Sequence, residues 1–197
     1  MWASATRPRV DGQLFHGSTP LHGMFRSGSF VAEHVTPVTD EQVQPNGVDL
    51  TLEAVYDQRD PGRIGIDGKE IGDRQHRMGN PVVEDEHDVE AIEDLEKPGG
   101  GNDVYYLPPD AYVVQYAEIV TIPEDHVGFL YPRSSLLRNS CMLNTAVWDA
   151  GYSGKGEGLL QVGHDIEIEA GARIAQLVLA RAEHEGTYDG DYQNERL

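Results

Sequence analysis

Residues 112–131 read YVVQYAEIVTIPEDHVGFLY, and this stretch decides the fold. Residues 112–116, 118–122 and 127–131 are three short runs rich in β-branched and aromatic residues, and Pro123 breaks the backbone hydrogen bonding between the last two. The pattern continues toward the C-terminus. Residues 142–148, 159–162, 165–168 and 173–180 are further apolar or alternating runs, punctuated by Asn139, Gly151 and Gly171. Toward the N-terminus, residues 48–52 form a short strand after the turn-like Pro45-Asn46-Gly47. Many short strands at this spacing predict an all-β sandwich or barrel, with a short helix able to open after Pro132. No internal repeat is visible.

The chain has 197 residues, enough for one domain with a hydrophobic core, and its 39% hydrophobic content argues for a folded protein. No apolar run approaches the ~20 residues that span a bilayer, and the N-terminus lacks a secretory signal, so a cytoplasmic location is expected. Cys141 is the only cysteine, which excludes an internal disulfide and a Cys-rich zinc site. Fifteen Lys and Arg stand against 34 Asp and Glu, a net charge of −19. That balance repels nucleic acid and anionic membranes, so neither is an expected partner. An anionic substrate would need a local basic pocket and a cation. Such an excess of acid with few lysines also suggests a halophilic, salt-rich cytosol that screens self-repulsion.

Residues 1–23 lack periodicity and are read as a flexible extension, with Met24 as the expected natural start. Residues 24–197 form the expected domain. Within it, residues 57–103 are rich in Gly and acid, and eight acids crowd residues 84–96. Acid runs usually face water, so this stretch is expected to be a solvated insertion rather than a metal site.

Four segments carry chemistry. Pro132-Arg133-Ser134-Ser135-Leu136-Leu137-Arg138 offers hydroxyls and free N–H groups at a helix start, with two guanidinium forks suited to phosphate. A Ser-capped surface helix with solvated arginines fits the same residues. Trp148-Asp149-Ala150-Gly151-Tyr152-Ser153-Gly154 reads as a turn between strands. Asp149 is there either for an Asx hydrogen bond or as a general base that orients water, and Tyr152 can present its ring to a sugar. Gly154-Lys155-Gly156-Glu157-Gly158 lacks the spacing of a phosphate-binding P-loop. In residues 170–177, Arg173 and Gln176 are polar exceptions in an apolar strand and serve the fold or a ligand equally well. The closing residues 187–193 are aromatic and glycine-bearing, either a frayed end or a lid.

In this order, the segments resemble the dUTPase and dCTP deaminase superfamily. Gln44-Pro45-Asn46-Gly47-Val48-Asp49-Leu50 looks like its first motif and the Pro-Arg-Ser-Ser segment like its second. Asp149-Ala150-Gly151-Tyr152 is similar to the third and Gly171-Ala172-Arg173-Ile174-Ala175-Gln176 to the fourth. Tyr188-Asp189-Gly190-Asp191-Tyr192-Gln193 resembles the closing motif of the archaeal-type branch, except that Asp191 stands where Lys is common. The resemblance spans about residues 24–193. It implies a distorted jelly-roll-like β domain with little helix, assembled as a homotrimer with active sites between subunits. It further implies that Asp149 activates the water that attacks dUTP, with Tyr152 stacked beneath the deoxyribose. Arg133, Ser134, Ser135, Arg138 and Gln176 would hold the phosphates, helped by Mg²⁺. Asp49 would support the metal-bound water or the motif itself. Tyr188 and Gln193 would belong to a lid, residues 187–197, closing over the triphosphate.

In the deaminase branch of the family, a Glu ten residues after the motif-three Asp shuttles protons. Here that count reaches Leu159, and a turn longer by two residues brings Gln161 to the position. An amide cannot shuttle protons as a carboxylate does. Against this, Ser134, Arg138 and Thr145-Ala146 fit the deaminase form. The zinc-deaminase signature is absent. The expected activity is therefore that of a dUTP diphosphatase. The alternative is a zinc-free dCTP deaminase or a bifunctional enzyme. A third possibility, a nucleotide-binding regulator without turnover, is disfavoured by the presence of Asp149.

Overall fold

The computed structural model describes residues 24–81 and 103–196. The chain passes through β1 (Val35–Thr36), β2 (Val43–Gln44) and the long β3 (Gly47–Gln58), then β4 (Arg63–Gly65), β5 (Gly68–Glu70), β6 (Arg74–His76) and β7 (Asn80–Pro81). β8 (Asp103–Leu107), β9 (Ala111–Tyr116), β10 (Ile119–Thr121) and β11 (His126–Pro132) follow. The last strands are β12 (Cys141–Asn144), β13 (Ser153–Gly154), β14 (Glu157–Val162), β15 (Ile166–Glu169) and β16 (Arg173–Arg181). Among the described residues, helix is confined to α1 (Gly28–Ala32), α2 (Ser134–Arg138) and a 3₁₀ turn at Asp40–Gln42. The all-β expectation holds. None of these helices is long and apolar enough to cross a membrane.

The main sheet runs β11-β16-β3-β9-β14-β12, with β2 and β6 also paired to β3. Its two ends, β11 and β12, touch, so the sheet nearly closes on itself. Smaller sheets, β1-β10-β13 and β15-β8-β7, complete the layers. β3 is the pivot. Its first half pairs with β16, placing Asp49 opposite Gln176, and its second half pairs with β9. An irregularity between Leu52 and Ala54 marks the transfer, as bulges do where a strand bends from one partner to another.

Period-two alternation fixes the faces. On β14, Gly158, Leu160 and Val162 are buried while Leu159 and Gln161 are exposed. The buried set meets Val48, Leu50, Tyr116, Ile122, Leu177 and Leu179 in one core. Asp49 is the exception on β3, a residue only 1% exposed between the buried Val48 and Leu50.

Two expectations are corrected. The run over residues 142–148 is not one strand, because β12 ends at Asn144. Trp148 instead forms an isolated bridge to Gly128, exchanging backbone hydrogen bonds at 2.8 and 3.1 Å. Its indole occupies the space where any side chain at Gly156 would stand. The strand expected over residues 48–52 continues to Gln58, because Val55 and Tyr56 find β9. The stretch 57–81 carries four strands, and β6 extends the main sheet beside β3. The acidic run 84–96 and residues 1–23 lie outside the described residues.

Candidate active site

The expected site residues form two groups. The first is built where β3, β16 and the start of α2 meet. Arg133 is the N-cap residue of α2, in extended conformation, and its N–H donates to the Ile174 carbonyl at 3.0 Å. Its guanidinium donates to the buried Asp49 carboxylate. Arg173 approaches the same carboxylate at 3.5 Å and donates to the Glu41 carbonyl at 2.5 Å. One buried carboxylate thus faces two guanidiniums, leaving a surplus positive charge whose side chains are 31% and 38% exposed. Burial, and then the charge of Arg173, presses Arg133 below its ordinary value. A guanidinium starts so high that it stays charged at neutral pH. In a chain of net charge −19, this is a local anion-attracting point. Ser134, Ser135 and Arg138 lie exposed on α2, with Arg138 donating to the Ser134 hydroxyl at 3.1 Å. Gln176 is half-buried on β16 opposite Asp49, its amide nitrogen close to Gly47.

The second group surrounds a cavity of about 560 Å³. Asp149 and Tyr152 line it, together with Trp148, Asn144, Glu157 and Leu159. The motif-three turn needs a glycine: Gly151 has φ +82°, its N–H donates to Ile122, and Thr187 packs against it. The turn is closed by the Asp149 backbone carbonyl, which accepts the Tyr152 N–H at 3.2 Å. The Asp149 side chain is exposed at the cavity wall. Tyr152 is 7% exposed, with Trp148 edge-on at 5.1 Å and Tyr188 edge-on at 5.5 Å. Burial, and next the Glu195 carboxylate, raises its phenol, which donates to Glu195 at 3.2 Å.

The C-terminal segment folds along this turn. Tyr188 N–H donates to Ala150 at 2.7 Å, and Gln193 bonds both Ser153 N–H and the Gly151 carbonyl. Glu195 bridges to Gly154, and Arg196 pairs with Glu157 at 2.5 Å. The opposite wall comes from Gln58, Ile71 and Arg74, in the stretch expected as an insertion. Arg74 holds the other oxygen of Glu157 at 2.7 Å. Nothing in the local sequence around Arg74 signals this role.

Arg133, Ser134, Ser135, Arg138 and Gln176 do not line the cavity that Asp149, Tyr152 and Tyr188 line. Gln161 lies on the cavity-facing side of β14 but beyond its edge, accepting from Asn144 at 2.9 Å. Among the described residues, no group of three His, Cys, Asp or Glu could hold a metal ion. Asp49, expected to act near a metal, has its carboxylate engaged by arginines.

Residues 24–182 match the dCTP deaminase-like family. The chain belongs to that family. A probable deoxyuridine 5′-triphosphate nucleotidohydrolase of Halobacterium salinarum is 56% identical over 177 residues, covering 88% of this chain and 96% of the relative. A protein of the same name from Aeropyrum pernix is 41% identical over 161 residues, covering 79% and 87%. Among solved structures, 2′-deoxycytidine 5′-triphosphate deaminase from Agrobacterium tumefaciens aligns with a TM-score of 0.53 at 16% identity. That alignment covers 80% of this chain and 48% of the deaminase, so this chain spans about half of its length. It establishes a shared dCTP deaminase-like fold and no more.

Proposed function

We propose that this chain is a dUTP diphosphatase, hydrolysing dUTP to dUMP and pyrophosphate in the cytoplasm. The observation that carries the proposal is the exposed Asp149 carboxylate on a cavity whose wall includes the buried Tyr152 ring. The names of the Halobacterium and Aeropyrum relatives support the same substrate. Asp149 takes a proton from water as the water oxygen bonds to the α-phosphorus. The bond from that phosphorus to the bridging oxygen breaks, and pyrophosphate leaves. Tyr152 supplies a flat surface beneath the deoxyribose. Because its hydroxyl is tied to Glu195, the ring is held rather than free to turn.

Arg133, Ser134, Ser135, Arg138 and Gln176 bind the phosphates in this proposal. They do not line the cavity within one chain, so they would reach the nucleotide from a neighbouring copy. That division of the expected site residues supports a homotrimer with its sites between subunits. Asp49 then supports the motif itself, aligning Arg133 and Arg173. Mg²⁺ would enter with the triphosphate and neutralise phosphate charge there.

One observation favours deamination: Glu157 places a carboxylate on the cavity wall. Both its oxygens are ion-paired, to Arg74 and Arg196, which suits a structural clamp better than a proton shuttle. Incubation with dUTP and dCTP separately, with Mg²⁺ in high salt, tests the choice. dUMP and pyrophosphate from dUTP, with dCTP unchanged, are expected. Release of dUTP or dUMP from dCTP at a comparable rate would overturn the hydrolase assignment.

A further inference from the structure

The C-terminal segment has two edges. The inner edge, Gln193 to Glu195, is bonded to β13. The outer edge, Asp191 and Tyr192, is met by a different part of the chain. Lys69, on the β4–β5 hairpin, lies 3.1 Å from the Asp191 carboxylate and 4.2 Å from the centre of the Tyr192 ring. Tyr192 lines the cavity, and so does Ile71, two residues after Lys69. Among the described residues, the hairpin strands are otherwise exposed, with Ile64 and Ile66 fully in solvent. Among the described residues, the hairpin's contact with the C-terminal segment is made by Lys69.

We propose that Lys69 is a positioning residue that clasps the C-terminal segment, so that hairpin and segment form two jaws of one cavity. The chain contains only three lysines, at 69, 97 and 155. One of them is set where it neutralises Asp191 and caps an aromatic ring at the same time. The two partners also raise the ammonium above its ordinary value, Asp191 first and then Tyr192. Without Lys69, Asp191 would add an unbalanced acid beside a site for a triphosphate. The clasp thus accounts for an acid at a position where repulsion would otherwise oppose closure. Lys69 touches no substrate atom in this scheme. It acts through Tyr192 and Asp191, by fixing where the segment rests.

The inference rests on the dUTP-hydrolase assignment for its kinetic consequence but not for its structural one. The test uses the full chain with Lys69→Glu, Asp191→Lys, both together, and Lys69→Arg. Two quantities are read: hydrogen exchange of amides 187–196 without nucleotide, and kcat and KM for dUTP. Exposed ion pairs and cation–π contacts are individually weak, so each single charge reversal should speed exchange and raise KM by roughly threefold to tenfold, with kcat less affected. The charge-swapped pair should recover much of both losses, and Lys69→Arg should behave as the parent. Unchanged exchange in the single variants, or a double variant no better than the sum of its parts, would overturn the clasp. A parent chain inactive on dUTP, with exchange responding as described, would sink the hydrolase assignment and leave the clasp standing.

Discussion

The hydroxyl of Tyr152 donates to the carboxylate of Glu195 at 3.2 Å, so the C-terminal segment is bonded to the same ring that the proposed mechanism puts under the sugar. Trp148 meets this ring from one side and Tyr188 from another. Removing the segment should therefore disturb the site without disturbing the core, since β16 ends at Arg181. Deletion of residues 187–197 is expected to lower kcat/KM for dUTP strongly, with unchanged far-UV circular dichroism and assembly. Unaltered kinetics would show that the segment is only a frayed end.

Asp149→Asn should remove most turnover, by roughly 10²- to 10⁴-fold, because an amide cannot accept the water's proton. Its backbone carbonyl, not its side chain, closes the motif-three turn, so the fold and nucleotide affinity should survive. Steady-state kinetics beside calorimetric titration with a non-hydrolysable dUTP analogue separates the two effects. A near-normal kcat would remove Asp149 from the chemistry.

Asp49→Ala should act differently, on stability and KM together. It leaves Arg133 and Arg173 facing each other without the carboxylate between them. An uncompensated, partly buried charge costs roughly 1–3 kcal/mol. Denaturant unfolding should register that loss, and phosphate binding should weaken as the two forks lose their alignment. A fully stable variant with unchanged KM would mean that the arginines are positioned by other contacts.

Stability should fall in mild acid because of His126. This ring is 2% exposed; its Nε2 accepts from Arg26 at 2.5 Å and its Nδ1 pairs with Asp125 at 2.6 Å. His34 shares its pocket through Phe30, and Arg181 faces Asp125. Burial lowers the His126 pKa below 6.5, against the pull of Asp125. The unfolded chain therefore binds a proton first, so this contribution is complete above about pH 6.5 and is lost as pH falls toward the folded value. Glu118 has the opposite sign. Burial raises its carboxyl despite donors from Thr51 and Gln42, so its contribution is present at low pH and is lost as pH rises through its folded value. Thermal melts from pH 8 to pH 5 should show the decline, and His126→Gln should flatten it. Equal slopes in parent and variant would remove His126 as the cause.

The strands were legible because alternation is local. Leu160 and Val162 announce a buried face within one short run, and Arg173 to Arg181 does the same. Gly151 was legible for a similar reason, since a turn with positive φ excludes most side chains wherever it occurs. The order of the motifs carried the family without any coordinates. Local pattern failed at Trp148, where apolar character suggested strand but β12 ends at Asn144 and Trp148 bridges Gly128 with its indole over Gly156.

Sequence by itself determined the all-β class and the residue types able to work on a nucleotide, and it allowed a short helix after Pro132, found at Ser134–Arg138. Tertiary structure alone decided which of them meet. Asp49 and Arg133 are 84 positions apart, Arg74 and Glu157 83 apart. Strand register brings such pairs together, and register follows from every pairing in the sheet at once, so no window of sequence contains it. For the same reason, only the folded chain leaves the arginine group off the lining of the Asp149 cavity and brings Ile71 and Arg74 onto it.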